Sequence, residues 1–350
     1  MTIARTKKIL RHNRKCKRLK KKMSELRYNP LLGEWVATAT KRQDRTFLPP
    51  PDFCPLCPTK KGGFPTEVPA QTYDIVAFEN RFPSLKREPE TPAIAATDLY
   101  PVKPSRGVCE VVLYSPNHTT SLAREPVGQI HKLIKVWRHR YAELGALEYV
   151  RYVFIFENKG EAVGVTLSHP HGQIYAYPFI PPRIEKELEQ SREYKTEKGN
   201  CLLCNILAEE RRFAERIVAE NDSFIAYIPF FARYPYETHI APKRHLQALT
   251  DFSAVEERGL AEIMKQVLSA FDRLFNFSFP YIMAIHSSPS DGGNYDFYHF
   301  HIEFYPPLRT ATKLKFLAGS ETGAGFFIND TLPEDKASEL RKLIEPVSWK

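Results

Sequence analysis

Cys54-Pro55-Leu56-Cys57, followed by His118 and then His169-Pro170-His171, is answered later by Cys201-Leu202-Leu203-Cys204, His245 and His299-Phe300-His301. Both halves keep one order: two cysteines three positions apart, a lone histidine ahead of a helical pattern, then an H-x-H. An order repeated at this length implies two tandem copies of one fold unit. Two thiolates and two imidazoles make a tetrahedral zinc set. Each copy is therefore expected to hold one metal: on Cys54, Cys57, His118 and His169 in the first, and on Cys201, Cys204, His245 and His299 in the second. Each H-x-H then leaves one histidine over for chemistry.

The segments between these ligands repeat as well. In the first half, residues 73–78 and 107–114 read as strands. A helix is expected over about 125–144, because Ile130, Leu133, Ile134, Trp137 and Tyr141 recur at three- and four-residue steps. A buried strand follows at 151–156, then a turn at 158–160, then the His169 segment. The second half offers strands at 224–228 and 237–241 and a helix over about 254–275 that buries Leu260, Ile263, Met264, Val267 and Phe271. A strand at 281–285 and a turn at 291–294 precede His299. Pro181-Pro182 opens a charged helix between the halves, and Gly199 closes it. Several links are too short for parallel crossovers. The expected class is α+β, with mostly antiparallel sheets flanked by helices, divided into residues 23–180 and 181–350.

The formal charge of +9 over 350 residues looks like a nucleic-acid signal until it is located. Residues 1–22 carry eleven Lys or Arg and no acid, which leaves about −2 for everything after them. That stretch reads as a solvated, disordered tail, and Met23 is a possible biological start. A zinc-knuckle nucleic-acid-binding protein is disfavoured, because the body is nearly neutral and the tail has no aromatics for base stacking. No stretch approaches the length of a membrane span. Four of six cysteines lie in the two knuckles, with Cys16 and Cys109 apart from them. This usage points to metal ligation in the reducing cytoplasm rather than to disulfides.

The chemistry concentrates at His169-Pro170-His171-Gly172-Gln173. In a strand, residues two apart share a face, so His169, His171 and Gln173 are expected to line up. Pro170, lacking an N–H, suits an edge position. A metal that fixes His169 also fixes the aim of His171, whose neutral imidazole can attack phosphorus. Gly172 lets a phosphate approach the backbone, and the Gln173 amide can donate to a phosphoryl oxygen as charge develops.

From about Arg27 onward the sequence resembles the galactose-1-phosphate uridylyltransferase family of the histidine-triad-like superfamily. The resemblance rests on residues 29–35, the Cys54 knuckle, Phe156-Glu-Asn-Lys-Gly160, His169-Pro-His-Gly-Gln173, Ser278-Phe-Pro-Tyr281, His301 with Phe304-Tyr-Pro-Pro307, and Lys315-Phe316 with Glu321. It implies two tandem histidine-triad-like repeats and a homodimer. It also implies a ping-pong exchange in which His171 takes UMP from UDP-glucose and passes it to galactose 1-phosphate. Arg42, Arg45, Asn80, Asn158, Gly164 and Thr166 match nucleotide and phosphate contacts. Lys315, Phe316 and Glu321 match a hexose-reading segment supplied by the other subunit. A nucleotide-sugar phosphorylase such as an ADP-glucose phosphorylase is the nearest alternative, but those relatives tend toward His-Ser-His-Ser-Gln where this chain has Pro170 and Gly172.

The chain departs from the better-known branch at several points. Arg81 follows Asn80 where that branch often has Asp, and Thr166 replaces a serine. That branch also lacks the second knuckle and binds its second metal through residues that map to Glu187, His286, His299 and His301. The repeat order instead assigns Cys201, Cys204, His245 and His299 to the second metal, zinc by ligand softness with iron as the other candidate. His301 is then the counterpart of His171. It is expected to be catalytically silent, because Phe300 and Ile302 replace the residues that flank the nucleophile.

Overall fold

The computed structural model describes residues 23–45, 49 and 53–349; the basic tail and Cys16 lie outside them. The elements in chain order are β1 (Ser24–Asn29), β2 (Glu34–Ala39), β3 (Val76–Glu79), β4 (Val102–Pro104), β5 (Val108–Leu113), α1 (Val127–Gly145), β6 (Tyr152–Lys159) and β7 (His171–Tyr177). The second half contributes α2 (Pro182–Lys198), α3 (Leu202–Phe213), β8 (Ile217–Glu220), β9 (Phe224–Tyr227), β10 (Thr238–Pro242), α4 (Ala254–Leu274), β11 (Tyr281–His286), β12 (His301–Tyr305) and α5 (Pro333–Arg341).

Nine strands form one sheet in the order β3-β5-β7-β6-β11-β12-β10-β9-β8, and every pairing between them is antiparallel. The two repeats meet through β6 and β11, where Phe156 pairs with Ala284 and Ile155 with Ile285. Outward from that seam the halves mirror each other: β7, β5 and β3 on one side match β12, β10 and β9 on the other. The expected α+β architecture of two tandem repeats is therefore realised as a single sheet.

The sequence periodicity places its helices well. α1 buries Val127, Ile130, Leu133, Ile134, Trp137, Tyr141 and Leu144, and α4 buries Leu260, Ile263, Met264, Val267 and Phe271. Both pack on the same face of the sheet, in one core with Val153, Ile155, Ile174, Ala176, Ile285 and Ile302. Burying side chains of this size stabilises by roughly 1.5–3 kcal/mol each. Ser253 caps α4 and exchanges hydrogen bonds with Glu256, while Gly199, at φ +76°, ends α2.

Alternation along β6 and β7 turns Phe154, Phe156, His171, Gln173 and Tyr175 to the opposite face. There a small sheet in the order β2-β1-β4 covers the aromatic stripe, with Leu26 and Trp35 against Tyr175, Phe156 and Tyr177. On the second half, α2 lies over that face and packs Ile184 and Leu188 on Tyr152, Tyr295 and Tyr298. Pro170 is not at a sheet edge as expected. It sits just ahead of β7, which runs between β5 and β6, so its missing N–H costs no ladder bond.

Candidate active site and metal centres

His169 lies two residues before β7 rather than within it, and it joins the cysteines while His171 does not. Its Nδ1 is 3.5 Å from Cys57 Sγ, and His118 Nδ1 is 3.4 Å from the same sulfur. Cys54, Cys57, His118 and His169 bring one ligand atom each within 4.8 Å of all the others. A tetrahedral zinc ion with these ligands has S–N edges of about 3.5 Å, so the donor set fits a metal. Burial and the Cys54 sulfur push the Cys57 thiol up to about 11. Two protonated thiols would gain little from this convergence, whereas a dication favours the thiolates. Tautomers follow from the partners: the Ser115 carbonyl, 2.9 Å from His169 Nε2, can only accept, so Nε2 carries the proton and Nδ1 faces the sulfur. Tyr73 reinforces this geometry, donating to the same carbonyl at 2.7 Å.

The same reasoning fixes His171. Its Nδ1 is 2.8 Å from the His169 carbonyl oxygen, so Nδ1 donates and Nε2 keeps a lone pair. Burial pushes its pKa below the ordinary imidazole value, which favours the neutral ring. No cysteine approaches it among the described residues, and it stands outside the metal set. Its neighbours explain the glycine that follows. A Cβ on Gly172 would collide with the Tyr114 hydroxyl and meet the Phe156 carbonyl at 3.1 Å. That hydroxyl lies near Glu157, which accepts from Tyr281 at 3.3 Å and is pushed up to about 8 by burial.

The remaining expected contacts lie at several places. Arg42, on the short helix Thr40–Asp44, reaches the β7 face and donates to Ser84 Oγ at 3.0 Å and Tyr175 Oη at 3.1 Å. Arg45 caps that helix, with its pKa lowered by burial and by Arg42. Asn158 lies on β6, and continuing the Phe156–Gln173 register by two steps sets it beside His171. Gly164, at φ +80°, ends a helical turn in the loop that carries Thr166 toward His169. Asn80 uses its side chain to accept from Phe82 N–H at 2.8 Å, while Arg81 turns away to Glu67 at 3.0 Å. Lys315 is buried and pairs with Glu321 at 3.1 Å, whereas Phe316 is 70% exposed. That segment packs on the second half, where Asn329 donates to the Ala232 carbonyl and Phe327 meets Tyr234.

The second half repeats the first geometry and then alters it. Cys201, Cys204, His245 and His299 converge, with Sγ–Nδ1 distances of 3.3, 3.6 and 3.7 Å. His299 Nε2 donates to the Pro242 carbonyl at 3.0 Å, and His301 Nδ1 donates to the His299 carbonyl at 3.0 Å. His301 Nε2, however, faces Glu303 at 3.6 Å.

The structure divides the alternative ligand set Glu187, His286, His299 and His301 between two convergent groups. His299 belongs to the cysteines, and the fourth member is Glu303; Glu187, His286, His301 and Glu303 form a third convergent group beside the second. The two sets therefore coexist instead of competing. Glu303 was discoverable from His301-Ile302-Glu303, since residues two apart on a strand share a face. Tyr73, Ser115 and Tyr175 carried no comparable signal. Burial works to lower the His301 pKa, but Glu303 and Glu187 outweigh it and raise the value.

Residues 14–181 match the family model described as galactose-1-phosphate uridyl transferase, N-terminal domain, and residues 187–348 match the C-terminal domain. The galactose-1-phosphate uridylyltransferase of Thermotoga maritima is 44% identical over 321 residues, aligning 91% of this chain with 98% of that one. The Haemophilus influenzae protein of the same name is 35% identical over 91% of this chain and 94% of its own length. A solved uridylyltransferase structure superposes with TM-score 0.81 at 35% identity, covering 91% of this chain and 98% of that one. An Arabidopsis thaliana ADP-glucose phosphorylase superposes at 0.69 with 25% identity, covering 91% and 98%. On this agreement across both halves, the chain belongs to the galactose-1-phosphate uridylyltransferase family.

Proposed function

We propose that this chain transfers UMP from UDP-glucose to galactose 1-phosphate, releasing glucose 1-phosphate and UDP-galactose, with His171 as the carrier. The observation that carries this reading is the tethered imidazole: Nδ1 donates to the His169 carbonyl, leaving Nε2 with its lone pair and outside the convergent cysteine–histidine set. In the first half-reaction Nε2 forms a bond to the α-phosphorus. The bond from that phosphorus to the glucose 1-phosphate oxygen breaks, and its electron pair leaves with that phosphate. The proton stays on Nδ1, and its hydrogen bond to the His169 carbonyl stabilises the cationic uridylyl-imidazole. In the second half-reaction a phosphate oxygen of galactose 1-phosphate attacks the same phosphorus and His171 departs. Both exchanging groups are phosphates already ionised at neutral pH, so positioning and charge stabilisation supply most of the catalysis.

Arg42 and Arg45 serve the phosphates, Gln173 donates to the α-phosphoryl oxygen, and Asn80, Asn158, Gly164 and Thr166 line the nucleotide. Lys315, Phe316 and Glu321 read the hexose from the partner of a homodimer. Zinc suits both cysteine–histidine sets, where it would anchor His169 and His299; the harder third group, with two carboxylates, accepts zinc or iron. Among the described residues no helix is long and apolar enough to cross a membrane. Thiols gathered for metal are consistent with the cytoplasm.

Incubation with UDP-glucose or ADP-glucose, each with galactose 1-phosphate or inorganic phosphate as acceptor, tests the proposal. UDP-galactose from the first pairing supports it. Turnover of ADP-glucose with phosphate alone would reassign the chain to the phosphorylases.

A further inference from the structure

Tyr175 follows Gln173 by two positions on β7 and shares its face. Its ring is buried, with edge-on contacts to Phe156 at 5.1 Å and Tyr177 at 6.0 Å between centroids. Its hydroxyl lies between two groups of the nucleotide site. Arg42 Nη1 is 3.1 Å from the phenol oxygen, and Gln173 Oε1 is 3.4 Å from it.

Donor bookkeeping decides how this chain of groups runs. A guanidinium has donors and no acceptor, so the tyrosine oxygen accepts from Arg42. Ser84 Oγ already accepts from the same guanidinium nitrogen at 3.0 Å. The phenol proton then needs an acceptor elsewhere, and on Gln173 only the amide oxygen qualifies. Once Oε1 is held this way, the Gln173 NH₂ group is the end left to face the reacting phosphate. An amide flipped by a half-turn would present an oxygen, which repels a phosphoryl group instead of stabilising it.

We propose that Tyr175 is a positioning residue. Polarised by Arg42, it locks the Gln173 amide with its NH₂ toward the α-phosphate, so one phosphate-site arginine also sets the orientation of the catalytic amide. The proposal rests on the uridylyl-transfer reading and deepens it.

The test is the single-turnover rate of UMP–protein adduct formation, followed by quenched intact mass over a range of UDP-glucose concentrations. Wild type, Tyr175→Phe, Gln173→Ala and the double variant are compared. Loss of a donor to a developing oxyanion costs roughly 10²–10³-fold in rate, and loss of its orientation should cost about tenfold. Tyr175→Phe is therefore expected to lower the saturating rate about tenfold while moving the half-saturating concentration less than about threefold. In the Gln173→Ala background the same substitution should do nothing further, because the group it orients is gone. A Tyr175→Phe rate within about twofold of wild type overturns the proposal. So does an undiminished tenfold loss in the Gln173→Ala background, which would mark a purely structural role. A wild-type protein that forms no adduct would instead overturn the reaction on which the relay depends.

Discussion

His171 and His301 occupy the same place in their repeats, and each donates Nδ1–H to the carbonyl two residues earlier, at 2.8 and 3.0 Å. Each follows a histidine whose Nδ1 faces a cysteine pair. The surroundings of Nε2 then diverge. Around His171 burial lowers the pKa and no carboxylate is close enough to shift it. Around His301, Glu303 and Glu187 reverse that effect and raise the pKa, and His286 joins them in a metal-ready group. One backbone device thus presents an imidazole lone pair twice. Its neighbours suit it to nucleophilic attack in one half and to metal ligation in the other. The pairing beneath the strands differs in the same sense. Ile302 pairs with Ile285 in the apolar core, whereas the equivalent places hold Gly172 and Glu157, with Tyr114 filling the space a side chain would need.

Removing a knuckle thiol should have the largest effect and should separate the halves. Cys54→Ser is expected to lose one metal per chain, destabilise the first half by several kcal/mol, and abolish adduct formation with it. Cys201→Ser should lose one metal as well, yet retain some adduct in whatever fraction stays folded. Metal analysis by mass spectrometry, paired with an adduct assay, distinguishes the two; equal loss of adduct per folded molecule would erase the distinction between halves.

Gly172→Ala probes the space beneath the nucleophile. Overpacking there should cost about 2–3 kcal/mol and slow uridylylation, because Tyr114 or the β7 backbone must move. Ile302→Val, its counterpart, removes one methylene and should cost about 1 kcal/mol without altering the adduct rate. Denaturant melts and adduct kinetics check both. A Gly172→Ala protein as stable and as fast as wild type would contradict the close packing.

The smallest effect concerns Glu157, whose carboxyl is pushed up to about 8 by burial. A carboxyl with a raised folded-state pKa contributes stability that is present below its unfolded value of about 4.3 and declines as pH rises toward 8. Glu157→Gln should therefore flatten the pH dependence, becoming relatively more stable by about 1 kcal/mol between about pH 6.7 and 7.5. Parallel thermal melts across that range would contradict it.

Much of this was legible in the sequence. Periodicity located α1 and α4 because their buried faces are continuous, and the duplicated ligand order announced the repeats. Other features were hidden for physical reasons. The join between β6 and β11 is a long-range pairing, and both strands carry apolar side chains on each face (Val153 and Ile155 against Phe154 and Phe156 in β6), so no polar–apolar alternation marks it. α3 opens on Cys201, whose sulfur accepts from Cys204 N–H in the place where Ser, Thr, Asp or Asn usually stands. The small sheet of β1, β2 and β4 leaves Leu31 and Leu32 exposed in its turn, blurring the usual hairpin pattern. Glu303 has no counterpart among the family ligands that map to Glu187, His286, His299 and His301, so the resemblance did not point to it.

The central claim is that only the first H-x-H carries the nucleotide. Wild type, His171→Ala and His301→Ala are mixed with UDP-glucose, and the UMP adduct is read by intact mass and located by peptide mapping. Wild type and folded His301→Ala should carry UMP on the peptide containing His171, and His171→Ala should carry none. An adduct that persists in His171→Ala, or that maps to the peptide containing His301, would contradict the account.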